Sequence, residues 1–168
     1  DYWSDYLGKK GSLGKVGERL TASLPQRAVA VSTRTKEALE RLGRRHAEVI
    51  PSGVDMEAIQ GLPASPAKAD IIFVGRMTKE KNVTLLIDAV RLARDHGRSL
   101  SCLLVGDGPE KARLQTMVAD MGLQSQVTLR DDVESDTGVL SFMKASRVLA
   151  LPSVREGLGL VVVEANAC

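Results

Sequence analysis

A strand, a loop and a helix follow one another in the stretch that organises this chain. The stretch begins with Val148-Leu149-Ala150-Leu151, continues through Pro152-Ser153, and ends with Glu156-Gly157-Leu158-Gly159-Leu160-Val161-Val162-Val163-Glu164. The apolar run predicts a buried strand that ends at the proline, and a helix is expected to begin near Leu158. Glycine has no Cβ, so the backbone there can approach a ligand, and the first N–H groups of a helix suit an anion. Two interpretations stay open: a ligand-binding turn with two carboxylates, or an ordinary surface loop.

Short apolar runs alternate with amphipathic segments from residue 70 onward. Apolar side chains recur with helical spacing in two segments, Val83, Leu86, Ile87 and Val90 in the first and Leu114, Met117, Val118 and Met121 in the second. Strands are predicted at 71–74, 102–105, 127–129 and 148–151, with helices after Asn82, from Pro109 and over 136–145. This alternation indicates an α/β fold, a Rossmann-like parallel sheet with helices on both of its faces.

Charged and glycine residues concentrate where the predicted strands end. These positions are Gly75-Arg76, Gly106-Asp107-Gly108, Arg130-Asp131-Asp132 and Ser153 to Glu156. Ligands of parallel α/β sheets bind at the carboxyl ends of the strands. The sequence therefore predicts a ligand site at this edge of the sheet.

The first third of the chain has a different organisation. Residues 1–14 are predicted to be a loop, with helices over Lys15–Leu24 and Lys36–Leu42 and a cap at Ser32 or Thr33. A short buried strand is predicted at 28–31 and a second strand at 48–50. Glycine and two prolines mark residues 54–69 as a linker to a domain over 70–168. Because the chain begins at Asp1 rather than methionine and stops inside a predicted helix, we expect a fragment of a longer protein.

Composition and charge exclude several classes of protein. The net charge of +2 is too small to indicate a nucleic-acid partner, and only five aromatic side chains are present. Two cysteines without metal-ligand spacing predict neither a metal site nor a disulfide, which favours a reducing, cytoplasmic location. Residues 1–50 carry ten Lys/Arg against six Asp/Glu, with Tyr2, Trp3 and Tyr6 at the tip. This basic segment is either a solvated helix surface or a peripheral membrane contact.

Each candidate residue also has an explanation that involves no ligand. Arg76 and Lys81 flank a strand-to-helix turn and could hold a diphosphate, with Lys79 as a competitor, or they could be solvated loop cations. The turn at 106–109 lacks the spacing of a dinucleotide fingerprint, so a tight structural turn is the better interpretation. Neither His46 nor His96 has a partner at ligand spacing, and neither is assigned a catalytic role.

Four motifs in register resemble the retaining GT-B glycosyltransferases of family 4, also called glycosyl transferases group 1. The motifs are Val49-Ile50-Pro51-Ser52-Gly53-Val54-Asp55, Val74-Gly75-Arg76 with Lys81, Leu104-Val105-Gly106-Asp107-Gly108-Pro109, and Glu156 to Glu164. The resemblance covers nearly the whole chain. It implies two Rossmann-like domains, of which 70–168 would be the nucleotide-sugar-binding C-terminal domain, incomplete at its end. Residues 1–53 would be the last part of the acceptor-side N-terminal domain.

The resemblance also implies roles for particular residues. Arg76 and Lys81 would bind the donor diphosphate, and Glu156 would contact the donor sugar near the reacting carbon, catalytic in the sense of positioning and charge stabilisation. Glu164 would hydrogen-bond the ribose, and the backbone around Val133 would face the base. Backbone amides for the sugar and phosphate would come from Gly157, Leu158, Gly159 and Leu160.

The resemblance predicts transfer of a sugar from a UDP- or GDP-linked donor to an acceptor with retention of configuration. The nucleotide sugar is a co-substrate, and no cofactor and no metal are expected. The expected acceptor is a glycan, a lipid or a small molecule. Leu158 stands where the family usually has Phe or Tyr, and Ser52 where it often has Asn. The resemblance also implies a glycine loop and a histidine in the acceptor domain, which this sequence does not contain, so little transferase activity is expected of the chain alone.

Other functions remain compatible with the same architecture. A sugar-nucleotide epimerase or a phosphorylase of GT-B type would use the same donor site for another reaction. A non-catalytic nucleotide-sugar-binding module would have no reason to keep all of Arg76, Lys81, Glu156 and Glu164. A hydride-transferring Rossmann enzyme is the weakest option, because no Gly-x-Gly-x-x-Gly turn follows a strand.

Overall fold

The computed structural model describes residues 11–43, 46–133 and 135–168. The chain divides into two compact units, residues 1–52 and residues 53–168. Tyr2, Trp3 and Tyr6 lie outside the described residues, as does most of the predicted N-terminal loop.

The first unit contains two helices and a pair of very short strands. Helix α1 spans Gly11–Ser23 and helix α2 spans Thr33–Arg41. Strands β1 (Val29–Ala30) and β2 (Glu48–Val49) pair in parallel. The Ser32 hydroxyl accepts a hydrogen bond from the Thr35 N–H and so caps α2, one of the two predicted caps.

Two sequence predictions for the first unit were wrong. Residues 11–14, assigned to a loop because of their glycines, form the first turn of α1. The strand around β1 was expected to be buried, but Val29 is 56% exposed and only Ala30 is enclosed. A two-residue strand buries little on its own, so its alternate side chains remain in solvent.

The second unit is an α/β layer structure. Its strands are β3 (Ala69–Val74), β4 (Cys102–Val105), β5 (Val127–Arg130) and β6 (Ser146–Leu149). Its helices are α3 (Met56–Gly61), α4 (Val83–Asp95), α5 (Lys111–Asp120), α6 (Asp136–Lys144) and α7 (Leu160–Ala167), and a 3₁₀ turn covers Lys79–Lys81.

The four strands are all parallel and lie in the order β5-β4-β3-β6. The chain builds the sheet outward from β3 to β5 and then returns to place β6 on the other side of β3. Strands β3 and β6 therefore flank the position where the strand order reverses, and such positions form ligand crevices in parallel sheets.

Helices cover both faces of the sheet, as the sequence predicts. On one face Phe73 and Leu104 pack against Val83, Leu86, Ile87 and Val90 of α4 and Leu114 and Val118 of α5. On the other face Ile72 and Leu103 pack against α6 and α7. All four periodic residues of α4 are buried, because the apolar stripe of an amphipathic helix lies against the sheet.

Several element boundaries differ from the sequence predictions. Helix α3 lies inside the predicted linker 54–69, since the Asp55 carboxylate accepts from the Ala58 N–H and Ile59 is buried. Helix α5 begins at Lys111 rather than at Pro109, and α7 begins at Leu160, after Gly159 in the left-handed region. Strand β6 begins at Ser146, ends before Ala150, and has an exposed Val148, because it is an edge strand.

The glycines of the Gly106-Asp107-Gly108 turn are explained by packing between neighbouring loops. A Cβ on Gly106 would lie 2.1 Å from the Gly75 carbonyl oxygen, and one on Gly108 would lie 2.5 Å from the Met77 carbonyl oxygen. The Met77 N–H also donates to the Asp107 carbonyl at 2.8 Å. This turn therefore supports the backbone that follows β3, in agreement with its interpretation as structural.

Candidate functional site

Lys81 and Glu156 form a direct ion pair at the carboxyl edge of the sheet. The Lys81 Nζ lies 2.5 Å from the Glu156 Oε1, although 75 residues separate them in the chain. Lys81 ends the 3₁₀ turn after β3, and Glu156 lies in the loop after β6. Because β3 and β6 are neighbours, the segments that leave them meet where the strand order reverses.

A backbone hydrogen bond keeps these two segments together. The Val154 N–H donates to the Glu80 carbonyl oxygen at 2.9 Å, which joins the loop after β6 to the 3₁₀ turn. Asn82 and Gly159, the residues that precede α4 and α7, both adopt the left-handed conformation, and the Asn82 side chain makes no capping hydrogen bond. Asn82 thus occupies the expected N-cap position, but its side chain does not cap the helix. The backbone bond between Val154 and Glu80 therefore holds Lys81 near Glu156, in addition to the attraction between their charges.

The environment of Glu156 favours its ionised form. Partial burial opposes ionisation, but the hydrogen bond and the charge of Lys81, with a smaller contribution from the nearby Ser153 hydroxyl, outweigh it, so the pKa of Glu156 is lowered. The side chains of Lys81 and Glu156 are 24% and 28% exposed. The Ser153 Oγ is buried and completes no hydrogen bond of normal geometry, so its effect on Glu156 is weaker than that of Lys81. Ser153 is thus a hydroxyl at the site that the sequence analysis did not single out as a candidate.

We expect the ion pair to make the second unit sensitive to acid. A carboxyl group whose pKa is lowered by folding contributes stability above its ordinary pKa and loses it as the pH falls through the lowered value. Glu156→Gln should therefore reduce the loss of stability as the pH falls from neutral to below the ordinary pKa of a glutamate. Urea unfolding at several pH values measures this slope. Asp120→Asn, which removes an exposed carboxylate outside any ion pair of the described residues, should keep the wild-type slope. Equal slopes for wild type and Glu156→Gln would contradict the expectation.

Arg76 follows β3 directly and projects from the same edge. Its side chain is exposed and makes no ion pair or hydrogen bond with the part of the chain that the structure describes. The backbone around it is held, since the Gly75 N–H donates to Val105 O and the Thr78 N–H donates to Arg76 O. Arg76 is thus a cation on an ordered turn whose donors are available to an anion.

Glu164 lies in a separate cleft of about 450 Å³. This volume is within the ordinary range for small-molecule sites. The residues that line it come from the 53–62 segment, from β3, α6 and α7, and they include Val74, Asp136, Leu140, Leu160 and Glu164. Arg76, Lys81 and Glu156 do not line this cleft. The structure therefore brings Lys81 to Glu156 and places Leu160 beside Glu164, in two neighbouring parts of the edge.

The remaining predicted site residues lie in the loops around these two parts. Gly157 is exposed and Leu158 is half-buried, and Gly159 precedes the first turn of α7. The Val133 side chain packs with the core residues under α6, which leaves its backbone in the loop after β5. Residues of the 53–62 segment were missed as cleft residues. The Asp55 cap ahead of Ile59 was the signal that could have revealed an ordered helix there.

Metal-binding and thiol chemistry find no support in the described residues. No group of three or more His, Cys, Asp or Glu side chains among residues 11–43, 46–133 and 135–168 is arranged to hold a metal ion. Both cysteines are free thiols, and burial raises the pKa of Cys102 to about 12. The His96 ring lies 2.8 Å from the Leu92 carbonyl at the end of α4. Asp131 is paired with Lys111 instead of forming part of a carboxylate site.

The fold and these motifs agree with comparisons to known proteins. The family model of glycosyl transferases group 1 matches residues 55–168, and the chain belongs to this family. A 2-deoxystreptamine glucosyltransferase from Streptomyces kanamyceticus is 31% identical over 158 residues, which cover 83% of this chain and 41% of that protein. A D-inositol 3-phosphate glycosyltransferase from Nocardia farcinica is 29% identical over 173 residues, which cover 91% of this chain and 38% of that protein.

Solved structures show the same architecture. HepE from Anabaena, crystallised in complex with UDP, superposes with a TM-score of 0.71 at 21% identity, over 98% of this chain and 48% of that one. This likeness confirms the GT-B fold. The chain spans about two fifths of the length of the two curated relatives. Among the described helices, none combines the length and apolar character needed to cross a bilayer.

Proposed function

We propose that this chain provides the nucleotide-sugar donor site of a retaining, metal-independent glycosyltransferase. The Lys81–Glu156 ion pair carries the proposal, because it joins a cation and a carboxylate where the strand order reverses. Membership of glycosyl transferases group 1 supports it. The donor is a UDP- or GDP-linked sugar, and the acceptor is a glycan, lipid or small molecule.

Arg76 and Lys81 are assigned to the donor diphosphate. Cleavage of the bond between the sugar and the diphosphate leaves negative charge on the departing nucleoside diphosphate. Fixed cations and the N-terminus of α7 stabilise such charge without a metal ion. Arg76 offers paired planar donors and Lys81 a compact charge, which suits a diphosphate with several oxygens. The backbone amides of Gly157, Leu158, Gly159 and Leu160 are assigned to the sugar and the phosphate.

Glu156 is assigned to the donor sugar. Its lowered pKa keeps it ionised at neutral pH, so it can accept hydrogen bonds from sugar hydroxyls and stabilise positive charge at the reacting carbon. Retention of configuration does not require covalent attack by this carboxylate. Positioning and charge stabilisation are the roles that its pairing with Lys81 supports, since a carboxylate held by a cation is a weakened nucleophile.

The cleft beside Glu164 is assigned to the nucleoside. The Glu164 carboxylate can accept hydrogen bonds from both ribose hydroxyls, and apolar residues such as Val74 and Leu160 can cover the sugar and base. The backbone around Val133, in the loop after β5, is assigned to the edge of the base.

Nucleotide-dependent thermal stability tests the donor site. UDP or GDP at about 100 times its Kd should stabilise the chain by about 2.7 kcal/mol, which corresponds to a rise in Tm of about 5–10 °C. Arg76→Ala and Glu164→Ala should each remove most of this shift. Arg98→Ala, just before β4 at the opposite end of the sheet, should keep it. If neither nucleotide shifts the Tm at millimolar concentration, the assignment of the donor site is wrong.

Other reactions of the same fold are distinguishable by their products. An epimerase would convert the nucleotide sugar without an acceptor, and a phosphorylase would require inorganic phosphate. A non-catalytic module would bind the donor and leave it intact. The charged pair Lys81–Glu156 favours catalysis over simple binding, because a binding module has no need of a carboxylate held beside the diphosphate cation. A panel of UDP- and GDP-sugars with product analysis separates these functions.

The acceptor side and the cellular location are also proposals. We assign residues 1–53 to the acceptor-side domain and expect little transferase activity from this chain alone, since it spans about two fifths of the length of its relatives.

In α1, Leu13, Val16 and Leu20 are 74%, 57% and 60% exposed, which supports peripheral contact of a cytoplasmic protein with an anionic membrane. Co-sedimentation with vesicles that contain anionic phospholipid tests this contact, and no binding at low salt would exclude it.

A further inference from the structure

One wall of the nucleoside cleft is formed by a segment that contains a short helix with a single buried side chain. This 53–62 segment contributes Val54 and Leu62 to the cleft, and α6 and α7 contribute the facing residues, including Glu164. Helix α3, within the segment, has six residues, of which only Ile59 is buried. Isolated helices of this length are unstable in water. The position of this wall must therefore depend on specific contacts with the rest of the second unit.

Lys144 supplies the main polar contact of this kind. Its Nζ donates hydrogen bonds to the carbonyl oxygens of Gln60 and Leu62, each at 2.8 Å. These carbonyls belong to the end of α3, where backbone acceptors lack partners within the helix and where a cation is favoured. The Ser65 N–H adds a bond to the Ser141 carbonyl at 2.9 Å. The Lys144 bonds join the segment, and the Ser65 bond joins the chain just after it, to α6, the helix that lines the facing side of the cleft.

We propose that Lys144 is a positioning residue for the nucleotide site, which sets the width of the cleft by holding the 53–62 segment against α6. The proposal rests on the proposed function, since it assumes that the cleft holds a nucleoside. Lys144 is not among the residues that line the cleft, so it acts through the backbone of the segment. Without the two hydrogen bonds from Lys144, the 53–62 segment lies against α6 in only a fraction of the molecules.

The expected effect follows from the population of the binding-competent state. The apparent Kd equals the intrinsic Kd divided by the fraction of molecules in which the wall is in place. If Lys144→Met lowers that fraction to about one tenth, the Kd for UDP or GDP rises about tenfold. Lys144→Arg retains a cation with several donors and should recover most of the affinity.

Arg94 provides a matched control for a purely structural role. Its Nη1 donates to the carbonyl of Met121 at 2.6 Å, at the end of α5, on the face of the sheet opposite to α6. Arg94→Met therefore removes the same type of bond, from a cation to the end of a helix, at a distance from the cleft, and with it the Arg94–Asp95 ion pair. Both Lys144→Met and Arg94→Met are expected to lower the urea midpoint of the nucleotide-free chain. Only Lys144→Met is expected to weaken nucleotide binding.

Isothermal titration of UDP and of GDP into wild type, Lys144→Met, Lys144→Arg and Arg94→Met tests the proposal. The expected result is an increase in Kd of about tenfold for Lys144→Met alone, with Lys144→Arg close to wild type. Should Lys144→Met fail to fold, Ser65→Pro removes the neighbouring backbone donor, together with the bond that the Ser65 hydroxyl accepts from the Ala67 N–H, and should also raise the Kd.

Three outcomes overturn the inference, and they are distinguishable from one another. Equal Kd values for wild type and a folded Lys144→Met exclude a positioning role while leaving the donor site intact. An equal loss of affinity in Arg94→Met shows that general destabilisation is the cause. If the wild-type chain binds neither UDP nor GDP, the proposed function fails together with the inference.

Discussion

Substituting Lys81 by methionine is expected to weaken the binding of a nucleoside diphosphate by about 10- to 100-fold, the range for losing a hydrogen bond to a charged group. Methionine matches the lysine side chain as far as Cε and removes the terminal ammonium with its charge and donors. The Lys81 Nζ is held 2.5 Å from Glu156 at the carboxyl edge of the sheet, so its location is defined before a ligand arrives. Titration calorimetry with UDP and GDP measures the loss.

Glu156→Gln is expected to have the opposite effect on the same measurement. In the ligand-free chain the carboxylate competes with a diphosphate for the Lys81 ammonium, and glutamine is a weaker, neutral competitor. The affinity for UDP or GDP without a sugar should therefore rise, although Glu156→Gln should lower the rate of sugar transfer. Affinity for the nucleotide should thus fall in Lys81→Met and rise in Glu156→Gln. This difference distinguishes a functional ion pair from a structural one, in which both substitutions would only destabilise the fold.

Lys79→Met is the control for Lys81→Met. From the sequence alone, Lys79 was an alternative candidate for the diphosphate ligand. In the structure Lys79 lines a different hollow, next to Glu110 and Arg113. We expect its substitution to leave the Kd for UDP and GDP within about twofold of wild type, the change for an exposed charge outside the site. A larger loss in Lys79→Met than in Lys81→Met would transfer the assignment to Lys79.

Gly106→Ala is expected to destabilise the second unit by about 3 kcal/mol or more, from backbone strain together with a steric clash. Gly106 has φ +136°, in a region that residues with a Cβ rarely occupy, and the added Cβ would lie 2.1 Å from the Gly75 carbonyl oxygen. That atom belongs to the backbone, so no side-chain rotation relieves the contact. Urea unfolding followed by circular dichroism measures the loss.

Gly97→Ala separates the strain from the clash. Gly97 also has a positive φ, +78°, but no atom lies within 4 Å of the Cβ that alanine would add. Its substitution should cost only about 1–2 kcal/mol, the penalty for the left-handed conformation. Similar losses for the two variants would show that the loops after β3 and β4 can separate, and that the 106–109 turn does not support Arg76.

Local patterns were sufficient to predict most of the second unit. Helix α4 and strands β3 and β4 are identified by the spacing of apolar residues within a few positions of one another. A single sequence shows that spacing directly. The predictions were weaker where tertiary context decided the outcome. Strand β6 looked buried because its side chains are apolar, but its position at the sheet edge leaves Val148 exposed. Prolines near α3 concealed a short helix that is capped by Asp55, buries Ile59 and is held at its end by Lys144 from a distant part of the chain.

The sequence by itself determined the α/β class and the family, and it placed Arg76, Lys81 and Glu156 after strands, because these features are local or recur as motifs. Only the tertiary structure decided that β6 lies beside β3 and not beside β5. Strand order depends on how helices pack over the whole sheet, which no local pattern encodes. That order brings Lys81 to Glu156 across 75 residues. It also decided that Lys144 meets the end of α3, and so linked the 53–62 segment to the cleft that contains Glu164.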